Sequence, residues 1–366
     1  MSENKKIRRH PVLRGILTAV LVVVIAAGGF FGGFAAYLTA TEYKPSPIEK
    51  LSVTGSGGHS SSDEIKVMTW NIGYGALGET ADFFMDGGSH VSTATRKGVK
   101  QNLYGITKAI READPDVVFL QEADTDSTRS HHVNERTFIE NNTKNYCNTF
   151  AYNYRVRWIP VPIPPLGKMN AGIMTLSKLQ INDSERIALP CPFSWPLRLG
   201  NLKRCISINR ASVKGGSDNL SLVNLHLEAY DSGEGKKAQT KLLRQYLDME
   251  YDDGNYVIAG GDFNQSFSDI DTSMYPTLEG RWHCGKLNCD DFSDHWQFAM
   301  DTSTPSCRSL DQSYKAAASH DPDKFQYYMI DGFIISDNLE IENVETLDLG
   351  FKNADHNPVV ITLRLK

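Results

Sequence analysis

From Gly15 to Ala40 the chain carries no charged residue, and this run commits its first part to a membrane-spanning helix. At ~1.5 Å per residue, a helix of that length more than crosses a hydrocarbon core of about 30 Å. Lys5, Lys6, Arg8, Arg9 and Arg14 precede the run, which predicts the N-terminus inside and the remainder of the chain outside. A cleaved signal peptide is the competing reading. Its apolar region would be only about 7–15 residues long. Leu38-Thr39-Ala40 is moreover a poor small-x-small cleavage site, which favours an uncleaved anchor. Gly28/Gly32 and Gly29/Gly33 are two overlapping small-xxx-small pairs through which two anchors could pack. The commonness of glycine in membrane helices explains them equally simply.

Residues 41–64 hold Pro45, Pro47, Gly55, Gly57, Gly58 and a run of serines. This composition reads as a flexible linker with a root-mean-square reach of about 25–30 Å. The chain thus divides into a basic cytoplasmic tail (1–14), a transmembrane anchor (15–40), a linker (41–64) and one extracytoplasmic domain (65–366). Single-pass placement in the cell membrane follows.

Charge narrows the partners of that domain. The whole chain has a net charge of −6, and residues 1–50 carry seven Lys/Arg against three Asp/Glu, so the rest carries −10. Such a domain lacks the electrostatic footprint of a sequence-independent duplex binder, and nucleic acid is the less favoured partner. Six cysteines, Cys147, Cys191, Cys205, Cys284, Cys289 and Cys307, permit disulfides in an oxidising compartment, with Cys284 and Cys289 the nearest pair. Buried free thiols are the alternative. No paired C-x-x-C ladder suggests zinc.

Short apolar runs read as strands at Ile65–Trp70, Val117–Gln121, Gly172–Leu176, Cys205–Val213, Leu220–Leu225, Tyr256–Ala259, Met329–Ile335 and Val359–Leu363. Lys97–Glu112, with Val99, Leu103, Ile106 and Ile110 on one stripe, and Ala238–Glu250 read as helices. Strands mixed with a few helices suggest an α+β or mixed sandwich. Polar residues cluster at the strand ends: Asn71, Glu122, His226, Asp262 with Asn264, Asp331 within Tyr328–Phe333, and Asp355-His356 before the last strand. Each alone is ordinary, since a strand-end Asp or Asn is usually a turn former. The set carries the meaning, because a sheet delivers side chains from one end of neighbouring strands into one pocket.

Thr69-Trp70-Asn71-Ile72, Gln121-Glu122, Asn224-Leu225-His226-Leu227, Gly261-Asp262-Phe263-Asn264, Ile330-Asp331-Gly332-Phe333 and Asp355-His356-Asn357-Pro358-Val359 form an ordered series. That series resembles the motifs of the endonuclease/exonuclease/phosphatase superfamily, over roughly residues 65–366. The resemblance implies an α/β (α+β) fold, a four-layer sandwich of two mixed β-sheets flanked by helices. It also implies Mg²⁺ as cofactor, with Mn²⁺ as a substitute.

The residue roles it implies agree with the needs of phosphate-ester hydrolysis: a positioned water, a base and charge neutralisation. Glu122 is a hard oxygen ligand suited to Mg²⁺. Asn71 can orient that carboxylate or reach the shell of the metal, and Asp355 can supply a second metal contact. Asp262 can take the proton of the attacking water, with Asn264 beside it. On an extended backbone, residues i and i+2 point the same way, which would aim both at one phosphorus. His226 and His356 can donate to phosphoryl oxygens, and Asp331 can fix the tautomer of His356. Asn170 is a candidate substrate contact.

Ser293-Asp294-His295 also spells the Ser-Asp-His found near the end of many family members, but it precedes Asp331 and is followed by Trp296 and Phe298 rather than Pro-Val. His295 is therefore read as structural. In the assigned motif Ala354 stands where Ser is usual. The apolar, proline-rich segment Trp158–Leu166 reads either as a packed loop or as one facing lipid or an apolar leaving group. The expected activity is hydrolysis of a lipid-headgroup or small phosphoester by a phosphodiesterase or phosphatase. An extracytoplasmic nuclease and, from another class, an inactive binding module are the alternatives.

Overall fold

The computed structural model describes residues 11–58, 62–213, 219–275, 277–317 and 325–366. Lys5, Lys6, Arg8 and Arg9 lie outside the described residues. The chain forms two compact units, Met1–Glu42 and Tyr43–Lys366.

The first unit holds one helix, α1 (Pro11–Ala40). It is apolar on every face, and none of its hydrophobic window is buried. A helix of that kind is long and apolar enough to cross a membrane. Its last turns are closed by hydroxyls: Thr39 Oγ1 donates to the carbonyl of Ala35 (2.7 Å) and Thr41 Oγ1 to that of Tyr37 (2.8 Å).

In the second unit, chain order runs β1 (Ile48–Lys50), β2 (Glu64–Asn71), α2 (Arg96–Ala113), β3 (Val117–Asp124), α3 (Glu135–Asn142), β4 (Cys147–Ile159), β5 (Gly167–Ser177), β6 (Ile181–Ala188), β7 (Cys205–Ser212), β8 (Asn219–His226), α4 (Glu234–Asp252) and β9 (Tyr256–Asp262). Then follow β10 (Gln265–Phe267), β11 (Gly285–Leu287), β12 (Trp296–Ala299), β13 (Cys307–Arg308), β14 (Tyr327–Tyr328), β15 (Asp331–Ser336), β16 (Leu339–Thr346) and β17 (Val359–Leu365). Two large sheets result, ordered β1-β6-β7-β8-β9-β15-β12 and β16-β17-β2-β3-β5-β4.

Each sheet has a βαβ unit at its centre: β2-α2-β3 in one, β8-α4-β9 in the other, both with parallel strands. Side-chain alternation sorts the layers. Met68, Trp70, Val118 and Leu120 face Val99, Leu103, Ile106 and Ile110 of α2. Val223, Leu225, Val257 and Ala259 share a cluster with Leu243 and Leu247 of α4. Val67, Val117, Phe119, Leu222, Ile258 and Phe333 fill the space between the sheets. This is the four-layer mixed sandwich that the motif series implies. Gln121 and Asn224, which flank motif residues, stitch the layers: Gln121 Nε2 donates to Asn224 Oδ1 (2.9 Å) and Asn224 Nδ2 to the carbonyl of Met174 (3.0 Å).

Several expectations are corrected. Residues 43–58 are not a free linker. β1 pairs antiparallel with β6 in the register Ile48↔Ile187, and Thr54 and Asn148 exchange backbone bonds at 2.8 Å each. Gly55 has φ +82, and a Cβ on Gly57 would run into the backbone of Leu179, so these glycines serve close approach rather than mobility. Pro45 and Pro47 lie before the ladder, where a missing N–H costs nothing.

β4, β6, β12 and β16 escaped the sequence reading because their polar residues break the alternation. Gly260-Gly261 carry β9 beyond the expected Tyr256–Ala259 strand and lie in its interior. A Cβ on Gly260 would strike the Phe333 and Phe119 rings, and one on Gly261 the Leu225 backbone. The expected Met329–Ile335 strand begins only at Asp331. All six cysteines are free thiols. Cys284 and Cys289 pack against different apolar clusters and flank the two ends of β11.

Candidate active site

The two βαβ units present the carboxyl ends of their parallel strands at one side of the sandwich. β2 ends on Asn71, β8 on His226 and β9 on Asp262. Antiparallel strands contribute their starts at the same side: Asp331, the first residue of β15, pairs directly with Asp262, and Asp355-His356 precede β17. Glu122 was expected after its strand, yet it lies inside β3. The register to β5 shifts between Leu120 and Ala123, and Glu122 takes φ +58. This bulge re-aims one side chain toward the pocket.

A cavity of about 200 Å³ opens here, lined among others by Asn71, Glu122, His226, Asp262, Asn264, Asp355 and His356. At its floor Asp262 is buried and contacted from several sides. Asn71 Nδ2 donates to Asp262 Oδ2 (3.0 Å), His226 Nε2 stands 3.4 Å from the same oxygen and His356 Nε2 4.0 Å. The backbone N–H of Asn264 donates to Asp262 Oδ1 (2.8 Å). Asn264 is thus brought round by an Asx turn with φ +51, not by an extended i, i+2 relation. Its Nδ2 donates to the carbonyl of Leu227 (3.0 Å).

Burial and the Asp331 carboxylate push Asp262 up to about 7, against the opposing pull of His356 and the Asn71 amide. The two histidines are driven apart. Burial, and then the Arg204 and His356 charges, hold His226 well below its ordinary value, so it is neutral. Burial disfavours a charged His356 too, but the Asp331 carboxylate and, behind it, Cys307 together outweigh it and raise the imidazole well above the usual range. That carboxylate accepts from His356 Nδ1 (2.8 Å) and from Ser306 Oγ (2.7 Å) through the same oxygen, Oδ2. Asp331 itself does not line the cavity. It acts from behind His356. Trp70 Nε1 donates to the His356 carbonyl (2.8 Å), which fixes the backbone of that residue. Opposed environments of two like groups are how a site assigns acid and base roles.

The acidic wall opposite fits a hard cation. Asp355 is buried with Oδ1 lacking any partner, and burial together with the nearby Glu122 charge pushes it up to about 6. A cation beside it would relieve both costs. Glu122 receives Asn71 Nδ2 (3.3 Å) and stands 3.6 Å from Arg129 Nη1. Among the described residues, Asp262-Asp331-His356 and Cys307-Asp355-His356 each bring three potential ligand atoms within 4.8 Å of one another, neither including Glu122. His356 is engaged with Asp331 and faces Asp262, whereas Asp355 Oδ1 has no partner and feels the Glu122 charge, which makes these two carboxylates the harder donor set. Asn71 uses its amide N–H groups on Glu122 and Asp262 and its oxygen on the N–H of Gly73 (3.1 Å), an orienting rather than a ligating arrangement.

The expected substrate contact falls elsewhere. Asn170 lies on β5 with Oδ1 buried and unpartnered, while its neighbours Met169 and Ala171 line the cavity, so strand alternation turns its side chain away. His295 is exposed, pairs with Asp337 (3.2 Å) and stacks on Tyr251 (4.6 Å between centroids) outside the cavity lining.

Sequence reasoning missed Arg129, Arg204, Tyr74 and Ser306. Arg129 lies 3.7 Å over the Tyr74 ring and grips Asp124 with two bonds (3.2 and 3.0 Å). Arg204 reaches the His226 carbonyl (3.4 Å). No motif marked them. The one local signal was Gly73-Tyr74-Gly75, whose three residues all have positive φ.

A family model described as the Endonuclease/Exonuclease/phosphatase family matches residues 68–328. No curated protein matches the sequence. Among solved structures, an endonuclease/exonuclease/phosphatase from Beutenbergia cavernae is similar with TM-score 0.56 and 18% identity, covering 82% of this chain and 72% of that one. One from Bacteroides vulgatus gives 0.51 and 14%, over 83% and 99%. The human nocturnin catalytic domain with bound sulfate gives 0.50 and 18%, over 86% and 98%. At these identities the likeness is one of fold.

Proposed function

This chain belongs to the endonuclease/exonuclease/phosphatase family of phosphoester hydrolases, and from that premise we propose a Mg²⁺-dependent hydrolase that acts on a lipid-headgroup or small phosphoester outside the cell membrane. The observation that carries the mechanism is the floor of the cavity: one buried carboxylate, Asp262, between a neutral His226 and a charged His356.

Asp262 takes a proton from the attacking water, whose oxygen bonds to phosphorus as the bond to the leaving oxygen breaks. Its raised pKa, about 7, makes it a competent base near neutrality. His356, held as imidazolium by Asp331, donates to a phosphoryl oxygen as charge builds there. His226 Nδ1 is buried without a partner, a polar atom that a bound phosphoester or water can satisfy. Asn71 orients both Asp262 and Glu122. Glu122 and Asp355 would hold the cation, which supplies charge neutralisation at the phosphoryl group when bound.

The acidic total favours small or lipid phosphoesters over duplex nucleic acid. The apolar helix and its basic flank support a single-pass anchor with the domain outside.

The test is a panel of lipid-headgroup esters, inositol phosphates and single- and double-stranded nucleic acid, given to the full chain in detergent with Mg²⁺ or with chelator. Turnover that needs the metal and falls with Glu122→Gln supports the reading. Full turnover in excess chelator removes the metal part, and duplex DNA cleaved faster than every lipid or small ester removes the substrate part.

A further inference from the structure

Two loops outside the catalytic machinery carry exposed apolar surface next to the cavity. The tip joining β4 to β5 exposes Trp158 (42%), Val161 (63%) and Ile163 (94%), and the loop after β6 exposes Trp195 (54%) and Leu197 (66%). They are joined at their bases: Lys203 N donates to the carbonyl of Asn153 (2.7 Å), and Tyr154 Oη to that of Gly200 (3.0 Å). Each also reaches the cavity wall, the first through Leu166, the second through Asn201 and Leu202. Scattered single apolar residues need no explanation, but a paired set beside a pocket mouth does.

Charge marks the same surface. In a domain of strongly negative total, no Asp or Glu occurs from residue 141 to 182 or from 186 to 213. Arg155 and Arg157 are exposed beside Trp158. Lys168 and Arg204 are engaged with Asp126 and Glu228, so the outward charge comes chiefly from the two arginines. Tryptophans with basic neighbours and no acids are the side-chain set of a membrane interface.

Chain length points to the same occupant. Only Thr41 and Glu42 separate the end of α1 from Tyr43, the first residue of the domain. The Tyr43 hydroxyl donates to the Tyr152 carbonyl of β4 (3.4 Å), and Arg155 lies 5.2 Å over its ring. With ~3.5 Å per extended residue, a bilayer holding α1 is about 10 Å of chain from this point.

We propose that the β4–β5 tip and the 191–199 loop form a docking surface for an anionic lipid bilayer, holding the cavity mouth at the headgroup layer so that the phosphoester is drawn from the membrane. This rests on the hydrolase reading above and assigns the source of its substrate.

The full chain, reconstituted in phosphatidylcholine–phosphatidylglycerol vesicles containing lipid brominated in its acyl chains, tests the surface directly. Trp70 and Trp296 are buried and Trp282 lines the cavity, so lipid quenching reports Trp158 and Trp195. The expected result is loss of emission in the wild type and none in the Trp158→Phe/Trp195→Phe chain. In parallel, Ile163→Glu/Leu197→Glu, whose sites are exposed and off the cavity, keeps kcat/KM on a soluble diester such as bis(p-nitrophenyl) phosphate. It loses at least about tenfold on a phosphoester lipid in the vesicle.

Unquenched wild-type emission overturns the proposal, as does equal behaviour of the glutamate variant on both substrates, or efficient disulfide crosslinking of Ile163→Cys between two copies. A wild type that turns over neither substrate defeats the hydrolase reading instead, while the quenching result still judges the surface.

Discussion

Asp331→Asn isolates the pair that keeps His356 charged. The substitution retains shape and an acceptor for His356 Nδ1 at 2.8 Å, but removes the main charge that opposes burial of the imidazole. A charge-assisted bond is worth about 1.5–3 kcal/mol and a neutral one about 0.5–1.5, so the bond itself loses roughly 1–2 kcal/mol. The larger effect is electrostatic. With only Cys307 left to oppose burial, the imidazole gives up its proton more readily, and a charged donor to the phosphoryl group gives way to a neutral one. Loss of such a donor costs about 10²–10³ in rate.

The ratio of wild-type to variant kcat/KM on a soluble diester should therefore be about 10² or more at pH 8 and shrink toward pH 5.5, where the variant imidazole recovers its proton. Stability carries the same sign. His356 has a raised folded pKa, so the contribution of the pair is full below the ordinary histidine value of about 6.5 and fades as pH rises through the folded value. The deficit in Tm of the variant should be largest in acid and narrow in alkali. NMR of the His356 ring follows the protonation independently. A rate ratio flat across pH, with an unchanged His356 titration, would refute the reasoning.

Three further outcomes are expected. The acid limb of kcat/KM should have its midpoint near pH 7 in low metal, rising with pH as Asp262 ionises. Metal loading should move it lower, and Asp262→Asn should abolish it with near-normal substrate binding; a variant with wild-type kcat sinks the assignment of the base. His356→Ala should lose at least about 100-fold in rate and His295→Ala little, because only His356 borders Asp262; the reverse would mean that the last motif is wrongly placed. Gly260→Ala should lower stability by about 1–3 kcal/mol in denaturant titration, since the added methyl meets the rings of Phe333 and Phe119; an unchanged midpoint would show that those rings yield freely.

Much of the site was legible because parallel βαβ units place residues that follow strands at one end of a sheet. Asn71, His226, Asp262 and His356 needed only their position after or before an apolar run. The long apolar helix was legible for a similar reason: a charge-free stretch of that length has few alternatives. What sequence could not supply is whatever depends on groups distant in the chain. The aim of Glu122 comes from a bulge against β5. The charge on His356 comes from Asp331, 25 residues away, acting against burial among both sheets. Residues 43–58 have the composition of a linker but settle on strand edges and backbone far along the chain, and the same glycines that suggest freedom permit that contact. Arg129 and Arg204 carry no motif because a guanidinium can reach a pocket from almost any loop, and only tertiary packing decides which ones do. Composition and period set the elements and their order, while the electrostatics of the site arise from burial, which no local window of sequence contains.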